Sequence, residues 1–282
     1  MEDFDKLWNY GDPAATETKF KELLLANGHE KPAYTLQLQT QIARTYSLRG
    51  LFNQAHETLD MVGKQLPITA DLSTVRYHLE RGRTFNSAGK KEDAKKYFEL
   101  AKTIAANLNN DYYLIDAMHM LAIVAPDDEA IVTQQQAIIK AEESKDDLAK
   151  TWLGPLYNNL GWSYFDKSEY EKALSIFLRS LQWRESRNSA PEIFIAKWCI
   201  ARTLRALNRI DDAIKVQLAL FEEATTTGKQ DGYMHEELGE LFLLKSDNLK
   251  YPFHFEKAYE LLVSDRYVQP ERLERIKKLA GI

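Results

Sequence analysis

The side chains best able to recognise another molecule are arginines, asparagines and large aromatic residues. The planar guanidinium of arginine donates a fork of hydrogen bonds that matches a carboxylate. Asparagine amides can hold the N–H and C=O groups of an extended peptide, and aromatic rings supply apolar anchors. The candidates are Arg44, Arg76, Arg83, Arg202, Arg205, Asn86, Asn158, Asn159, Trp162, Phe165 and Trp198. Whether they share a surface depends on the elements that carry them.

Residues that could support catalysis or bind a metal show no recognisable pattern. The six histidines form neither HExxH nor another metal-binding spacing. Cys199 lies beside Trp198 on a predicted helix, where we expect it to pack rather than react. No glycine-rich phosphate loop follows a strand signal. The sequence therefore predicts a non-enzyme with no cofactor and no metal site.

Composition and charge exclude several classes of protein. The 282 residues are 44% hydrophobic and 28% charged, with a formal net charge of −5, which argues against a general nucleic-acid binder. A single cysteine excludes an intrachain disulfide and fits a reducing compartment. The acidic start is unlike a signal peptide, and no window approaches the roughly 20 apolar residues of a membrane span. We predict a cytoplasmic protein with no membrane or nucleic-acid partner.

The stretch from Tyr157 to Leu181 predicts two amphipathic helices joined by a polar turn at residues 166–169. Within it, Gly161 marks the point where the two helices cross, and Ala173 is expected to face it. A small residue recurs at this position along the chain, as Ala43, Gly82, Ala122, Gly161, Ala201 and Gly239. The successive differences in residue number are 39, 40, 39, 40 and 38, so the chain is predicted to be a helical repeat protein.

The same stretch resembles a tetratricopeptide repeat, whose pattern is W-x2-L-G-x2-Y followed by A-x3-F. The matching residues are Tyr157, Leu160, Gly161, Tyr164, Ala173 and Phe177, with Tyr157 in place of the leading tryptophan. The period exceeds the usual length of about 34 residues by roughly one and a half helical turns, which predicts longer helices. The resemblance implies an all-α, right-handed solenoid of about six helix pairs with a capping helix at each end.

Taken as one superhelical domain, the chain divides at the recurring turns and at its prolines. The predicted segments are an N-terminal cap at 1–31, repeats at 32–68, 69–109, 110–146, 147–188, 189–228 and 229–265, and a C-terminal cap at 266–282. Pro126 is expected to end a helix near Val124, with Asp127 or Asp128 capping the next one. The last repeat is expected to have a long turn, from Lys245 to Phe253, and a short second helix from about Phe255 to Val263.

In tetratricopeptide repeats the first helix of each pair lines a concave groove, and the resemblance implies the same here. If the small residue is counted as position 8, positions 2, 5, 6, 9 and 12 of each first helix face this groove. The arginines, asparagines and aromatic residues named above fall at these positions. The implied partner is a protein or peptide, extended and acidic or ending in a carboxylate.

Plainer interpretations of the same residues stay open. The arginines could be solvated or paired with glutamates of a neighbouring repeat, and Trp162 and Trp198 could pack against the next repeat. Asn158 and Asn159 could serve helix ends near Gly154. Glu236, Glu237 and Glu240 could pair with the basic last helix, which carries Arg272 and Arg275 and could be a cap or an occupant of the groove.

The favoured function is a non-catalytic scaffold that binds a protein segment. The alternatives are a ligand- or peptide-gated regulator that acts through a partner, and an enzyme with an unrecognised site. Self-association through an exposed end of the repeat stack also stays open.

Overall fold

The computed structural model describes residues 2–27, 32–265 and 267–282. Residues 1, 28–31 and 266, which belong to the predicted capping segments, lie outside the described residues. The described chain consists of α-helices and one 3₁₀ helix, without a β-strand. The predicted all-α fold is therefore confirmed.

The chain forms two compact units, Met1–Leu156 and Tyr157–Ile282. The first unit contains the 3₁₀ helix Asp3–Leu7, α1 (Pro13–Asn27), α2 (Pro32–Leu48), α3 (Phe52–Gly63), α4 (Leu72–Ser87), α5 (Lys91–Asn107), α6 (Asp111–Val124), α7 (Asp127–Glu143) and α8 (Asp147–Lys150). The boundary between the two units along the chain falls within helix α9 (Leu153–Asp166). The second unit continues with α10 (Tyr170–Ser186), α11 (Ala190–Ala206), α12 (Ile210–Thr227), α13 (Gly232–Leu244), α14 (Lys250–Leu262) and α15 (Pro270–Ala280).

Consecutive helices pack against each other within each unit, as in a stack of helix pairs. In the first unit α2 contacts both α3 and α4, and α4 contacts both α5 and α6. In the second unit α11 contacts α10, α12 and α13, and α14 joins α13 to α15. The first helices of successive pairs therefore lie beside one another within a unit, so their exposed faces form one surface.

The recurring small residues are all buried, and glycine occurs where the opposing side chain is largest. A Cβ atom added to Gly82 would lie 2.5 Å from the ring of Phe98, and one added to Gly239 would lie 3.0 Å from Phe255. At Gly161 an added Cβ would overlap Phe177. Each of these phenylalanines follows its glycine by 16 residues, whereas the positions 16 residues after Ala43, Ala122 and Ala201 hold Leu59, Ile138 and Gln217. Small and large residues are therefore matched across each helix pair.

This packing corrects one detail of the sequence analysis. The side chain nearest to Gly161 is Phe177, not Ala173, although Ala173 is also fully buried. The phenylalanine lies one helical turn beyond the alanine, so its ring reaches back over the backbone of α9.

Two prolines locate helix ends, one as predicted and one not. The helix α6 ends at Val124, as Pro126 predicts, but Pro126 itself is the extended N-cap of α7. The expectation that Asp127 or Asp128 is the cap is therefore wrong. Both belong to the acidic first turn of α7, where their negative charges interact favourably with the positive end of the helix dipole. The turn predicted from Lys245 to Phe253 ends earlier than expected, because α14 begins at Lys250 and Pro252 lies in its first turn. Proline is tolerated there because the first N–H groups of a helix have no intrahelical acceptor.

The N-terminal residues add a layer of aromatic side chains to the first unit. Phe4 is completely buried against Phe20, with ring centroids 6.1 Å apart. The indole Nε1 of Trp8 donates a hydrogen bond to Oε1 of Gln41 on α2, at 3.1 Å. Asp12 caps α1 by accepting the N–H of Ala15 at 3.0 Å. These contacts hold residues 3–8 against the first helices.

Two buried histidines connect α13 and α14. Nδ1 of His235 lies 3.1 Å from Nδ1 of His254, and the ring of His254 stacks on Phe242 with centroids 5.5 Å apart. The pKa of His254 is lowered to about 4, chiefly by burial and in smaller part by His235 and Lys250. Burial also lowers the pKa of His235. Both rings are therefore neutral in the folded protein at pH 7.

The second unit should consequently lose stability as the pH falls below about 6.5. The unfolded chain binds protons at these histidines below that pH, whereas His254 in the folded chain resists protonation until about pH 4. We expect His254→Phe, which keeps a ring against Phe242, to flatten the dependence of unfolding free energy on pH between 6.5 and 4.5. Urea titrations over this range measure it. An unchanged slope in the variant would remove the histidine pair as the cause.

Candidate interaction surfaces on the first helices

A cavity of about 430 Å³ opens among the first helices of the first unit. Its wall is formed by α2, α4 and α6, by the N-terminal residues Asp5, Trp8 and Tyr10, and by Trp152 after α8. None of its lining residues belongs to α3, α5 or α7. Four of the predicted site residues line it, namely Arg44, Arg76, Arg83 and Asn86.

Two of these arginines are fixed by carboxylates of the chain itself. Arg76 pairs with Asp5 and donates from Nε to the Tyr113 hydroxyl at 2.5 Å. Arg83 donates to Glu80 at 2.7 Å and also pairs with Asp116. Burial alone would lower the pKa of Arg83, but Asp116 and Glu80 outweigh it and raise that pKa. Arg76 and Arg83 therefore hold the cavity wall together.

Arg44 is held much more loosely. Its Nε lies 3.6 Å from Oε2 of Glu80, and 22% of its side-chain surface is exposed. Burial lowers the pKa of Arg44, because the distant Glu80 compensates only part of the lost hydration. This guanidinium therefore retains donors for a ligand in the cavity.

Further polar atoms in the cavity wall lack hydrogen-bond partners. The indole Nε1 of Trp152, Nδ1 of His119 and Oε2 of Glu80 are buried without one among the described residues. The rings of His119 and Trp152 lie 5.2 Å apart, and burial lowers the pKa of His119, so its imidazole is neutral at pH 7. Buried polar groups usually have a partner. Each of these atoms is therefore a buried polar group of the wall that the described part of the chain leaves unsatisfied.

The second unit presents an aromatic cluster around Arg202. The guanidinium carbon of Arg202 lies 5.5 Å from the ring centre of Trp198 and 5.9 Å from those of Trp162 and Phe165. Its Nη1 is 3.8 Å from Glu237, and its Nε is buried without a hydrogen-bond partner. Such stacking stabilises a guanidinium while leaving N–H groups free for an acceptor. Arg202 therefore resembles Arg44 in being incompletely paired.

Arg205 and the acidic residues of α13 form a separate network. Arg205 donates to both oxygens of Glu237, at 2.6 and 3.0 Å, and only 1% of the Glu237 side chain is exposed. Arg272 of α15 binds Glu236 through Nε at 2.8 Å, and Arg275 binds Glu240 through Nη2 at 3.0 Å. The last helix therefore covers two acidic side chains of a first helix, while Glu237 pairs with α11 instead.

Asn158 and Asn159 lie half-buried on α9, the helix that carries Trp162. Within the described residues, the structure brings four predicted site residues together in the first unit and Trp162, Phe165, Trp198, Arg202 and Arg205 together in the second. The sequence leaves open that glutamates of a neighbouring repeat pair with the arginines, but it does not single out Asp5, Glu80 and Asp116, which bind them in the first unit. The same position count would have found two of them, because Glu80 falls at position 6 and Asp116 at position 2 of their helices.

The described residues contain neither a cluster of metal-binding side chains nor a helix that could span a membrane. No group of three or more histidine, cysteine or acidic side chains there could hold a metal ion. Burial raises the pKa of Cys199 to about 12, so this thiol stays protonated at neutral pH. No helix of the described chain has the length and apolarity needed to cross a bilayer.

Comparison with known proteins decides the family. A family model for the tetratricopeptide repeat matches residues 75–108 and 154–187, which include the crossing residues Gly82 and Gly161. This chain is a tetratricopeptide repeat protein. A search of curated proteins by sequence returned no match. The resemblance inferred from the residues around Gly161 is thereby confirmed.

Solved structures with the same fold extend over nearly the whole repeat protein. The apo form of RapI is 15% identical, with a TM-score of 0.74 over 99% of this chain and 81% of RapI. Aspartyl phosphate phosphatase F from Bacillus subtilis is 15% identical, with a TM-score of 0.59 over 93% of this chain and 75% of the other. A signal transduction ATPase with a tetratricopeptide repeat sensor from Pyrococcus horikoshii is 15% identical, with a TM-score of 0.72 over 94% of this chain and 41% of the other.

At these identities the likeness concerns the fold, and it confirms the helical solenoid class predicted for this tetratricopeptide repeat protein. Repeat proteins of this kind use extended concave surfaces for binding. The fold is that of a protein–protein interaction scaffold, and such scaffolds are typically non-catalytic.

Proposed function

We propose that this protein is a non-catalytic scaffold that binds an extended, acidic segment of another protein on the faces of its first helices. Arg44 would contact a carboxylate of a segment bound to the first unit, and Arg202 would contact one of a segment bound to the second. The observation that carries the proposal is the loose pairing of Arg44, whose side chain lines a cavity that Trp152, with an unpartnered indole N–H, also lines. Both groups donate hydrogen bonds, and a carboxylate accepts them. The composition supports a cytoplasmic location.

The predicted site residues divide into two roles under this proposal. Arg76, Arg83 and Arg205 position the surface, because carboxylates of the chain already occupy their donors. The aromatic rings of Trp162, Phe165 and Trp198 provide apolar contact, and Asn86, Asn158 and Asn159 provide polar contact to the backbone of the segment.

The proposal predicts a specific loss of affinity. Peptides selected from a random library on the wild-type protein should be rich in aspartate, glutamate or a free C-terminal carboxylate. Arg44→Gln should weaken a peptide bound to the first unit, and Arg202→Gln one bound to the second, by about tenfold or more, since a hydrogen bond to a charged group contributes about 1.5–3 kcal/mol. Isothermal titration calorimetry measures the change.

A matched control is available in Arg209→Gln. Arg209 is 49% exposed and pairs with Asp212 at 2.8 Å in the turn between α11 and α12. This variant should bind the peptide like the wild type. If Arg44→Gln and Arg202→Gln also bind like the wild type, an acidic segment on these faces is excluded.

A second candidate function is regulation of a partner by a short peptide. The first-unit cavity, at about 430 Å³, lies within the usual range of about 300–1,000 Å³ for small-ligand sites. The Pyrococcus horikoshii protein of similar fold carries repeats described as a sensor. A thermal-shift screen of short peptides separates the two functions: stabilisation by peptides that fill only this cavity favours the regulator.

A further inference from the structure

The second unit contains a small cavity with an aromatic wall, which shares Trp198 with the cluster around Arg202. Its volume is about 230 Å³, and the described residues that line it are Phe194, Ile195, Trp198, Asp231 and Tyr233. Ile195 is 47% exposed, so the cavity opens to solvent beside it. The volume is below the range of about 300 Å³ and above that is usual for small-molecule sites. A single side chain is a more suitable occupant than a metabolite.

The aromatic rings of this cavity are held in place. The indole Nε1 of Trp198 donates to the backbone carbonyl of Tyr233 at 3.2 Å, and the two rings meet edge to face with centroids 6.3 Å apart. The Tyr233 hydroxyl donates to Asp265 at 2.8 Å. Phe194 and Trp198 also pack on the buried cluster of Leu220, Ala224 and Met234. The cavity therefore exists before any ligand enters, which lowers the cost of binding.

Asp231 is the charged residue of the wall. Its Oδ1 accepts the N–H of Met234 at 2.7 Å as the N-cap of α13, so the second carboxylate oxygen remains for a ligand. An adjoining cavity of about 400 Å³ shares Phe194, Ile195 and Asp231 and adds Glu223 and Lys229. Lys197 neutralises Glu223 at 3.3 Å.

The rings of the wall already attract cations on the chain. Arg202 lies over Trp198 at 5.5 Å, and Arg272 lies over Tyr233 at 5.3 Å. Glu236 neutralises Arg272, whereas Arg202 shares Glu237 with Arg205. Faces of tryptophan and tyrosine with a nearby carboxylate are the usual setting for binding a cationic head group.

We infer that this cavity binds the side chain of a lysine or arginine of a protein partner. The aliphatic stem would lie against Phe194 and Ile195, and the charged end would lie over the rings of Trp198 and Tyr233 and within reach of Asp231. Long basic side chains suit such a site because they combine an apolar stem with a charged head. This site goes beyond the acidic segment proposed above and does not depend on Arg44.

The test uses Nα-acetyl-lysine amide as the probe and Nα-acetyl-norleucine amide as its uncharged counterpart. Titrations followed by the indole N–H resonance of Trp198 in two-dimensional NMR report binding, and Trp198→Phe assigns that resonance. The lysine probe should shift the resonance saturably, with at least about tenfold higher affinity than the norleucine probe. Equal affinity of the two probes, or no saturable shift, overturns the inference.

Asp231→Asn removes the charge and retains a good N-cap residue, so α13 is preserved. This variant should lower the affinity for the lysine probe about tenfold and leave that for the norleucine probe unchanged. Unchanged lysine binding in Asp231→Asn also overturns the inference. Arg44→Gln, which tests the acidic-segment proposal, should not alter either titration, so failure of one proposal is distinguishable from failure of the other.

Discussion

Replacing Asp116 with alanine is expected to lower the free energy of unfolding by about 3 kcal/mol, because breaking a buried ion pair leaves a charge without its partner. Side-chain exposure is 6% for Asp116, 11% for Arg83 and 5% for Glu80. After the substitution, Arg83 would keep only Glu80, which also lies near Arg44. Urea denaturation followed by circular dichroism measures the loss.

The matched control is Asp212→Ala. Asp212 pairs with Arg209 at 2.8 Å, but their side chains are 57% and 49% exposed. Exposed pairs contribute about 0–1 kcal/mol, so this variant should unfold almost like the wild type. Equal, small losses for both variants would show that the Arg83 pairs do not hold the first-unit cavity together.

Gly161→Ala is expected to destabilise the protein by about 2 kcal/mol. The new methyl group would overlap the ring of Phe177, which is 1% exposed and has little room to move. Overpacking costs about 1–3 kcal/mol, and the better helix propensity of alanine returns up to about 1 kcal/mol. The net loss is measurable by the same denaturation experiment.

The repeat itself suggests the compensating change. In the first helix pair, Ala43 occupies the position equivalent to Gly161, and Leu59 occupies the position equivalent to Phe177. There the larger small residue is combined with a smaller partner. In a Phe177→Leu background, Gly161→Ala should therefore become neutral or stabilising. A double-mutant cycle detects this change of sign. If alanine is equally destabilising in both backgrounds, contact with the phenylalanine ring is not the reason for glycine.

The helical pattern could be predicted from the sequence because packing imposes a period. Every first helix needs a small residue where its partner crosses, so Gly82, Gly161 and Gly239 report a contact that is repeated along the chain. The end of α6 could also be predicted, since Pro126 cannot continue a helix. The start of α14 could not, because proline is compatible with a first turn as well as with a loop.

The surface could be predicted only in part. The period placed Arg44 and Arg83 on one helix face, but period alone cannot tell an arginine that is free from one that is paired. The partner of Arg76 is Asp5, which lies 71 residues away in the chain and outside any repeat. Trp152 likewise reaches the cavity from a connection between helices. Contacts made by irregular segments leave no periodic signal.

If a partner binds the faces of the first helices, these helices should be protected when it is bound. Hydrogen–deuterium exchange with and without a selected acidic peptide tests it most directly, because each helix is followed separately. A peptide bound there should slow the exchange of backbone amides in α2, α4 and α6, or in α9 and α11. Exchange in α3, α5, α7, α10 and α12 should stay unchanged. Protection confined to α3, α5, α7, α10 or α12 would contradict it.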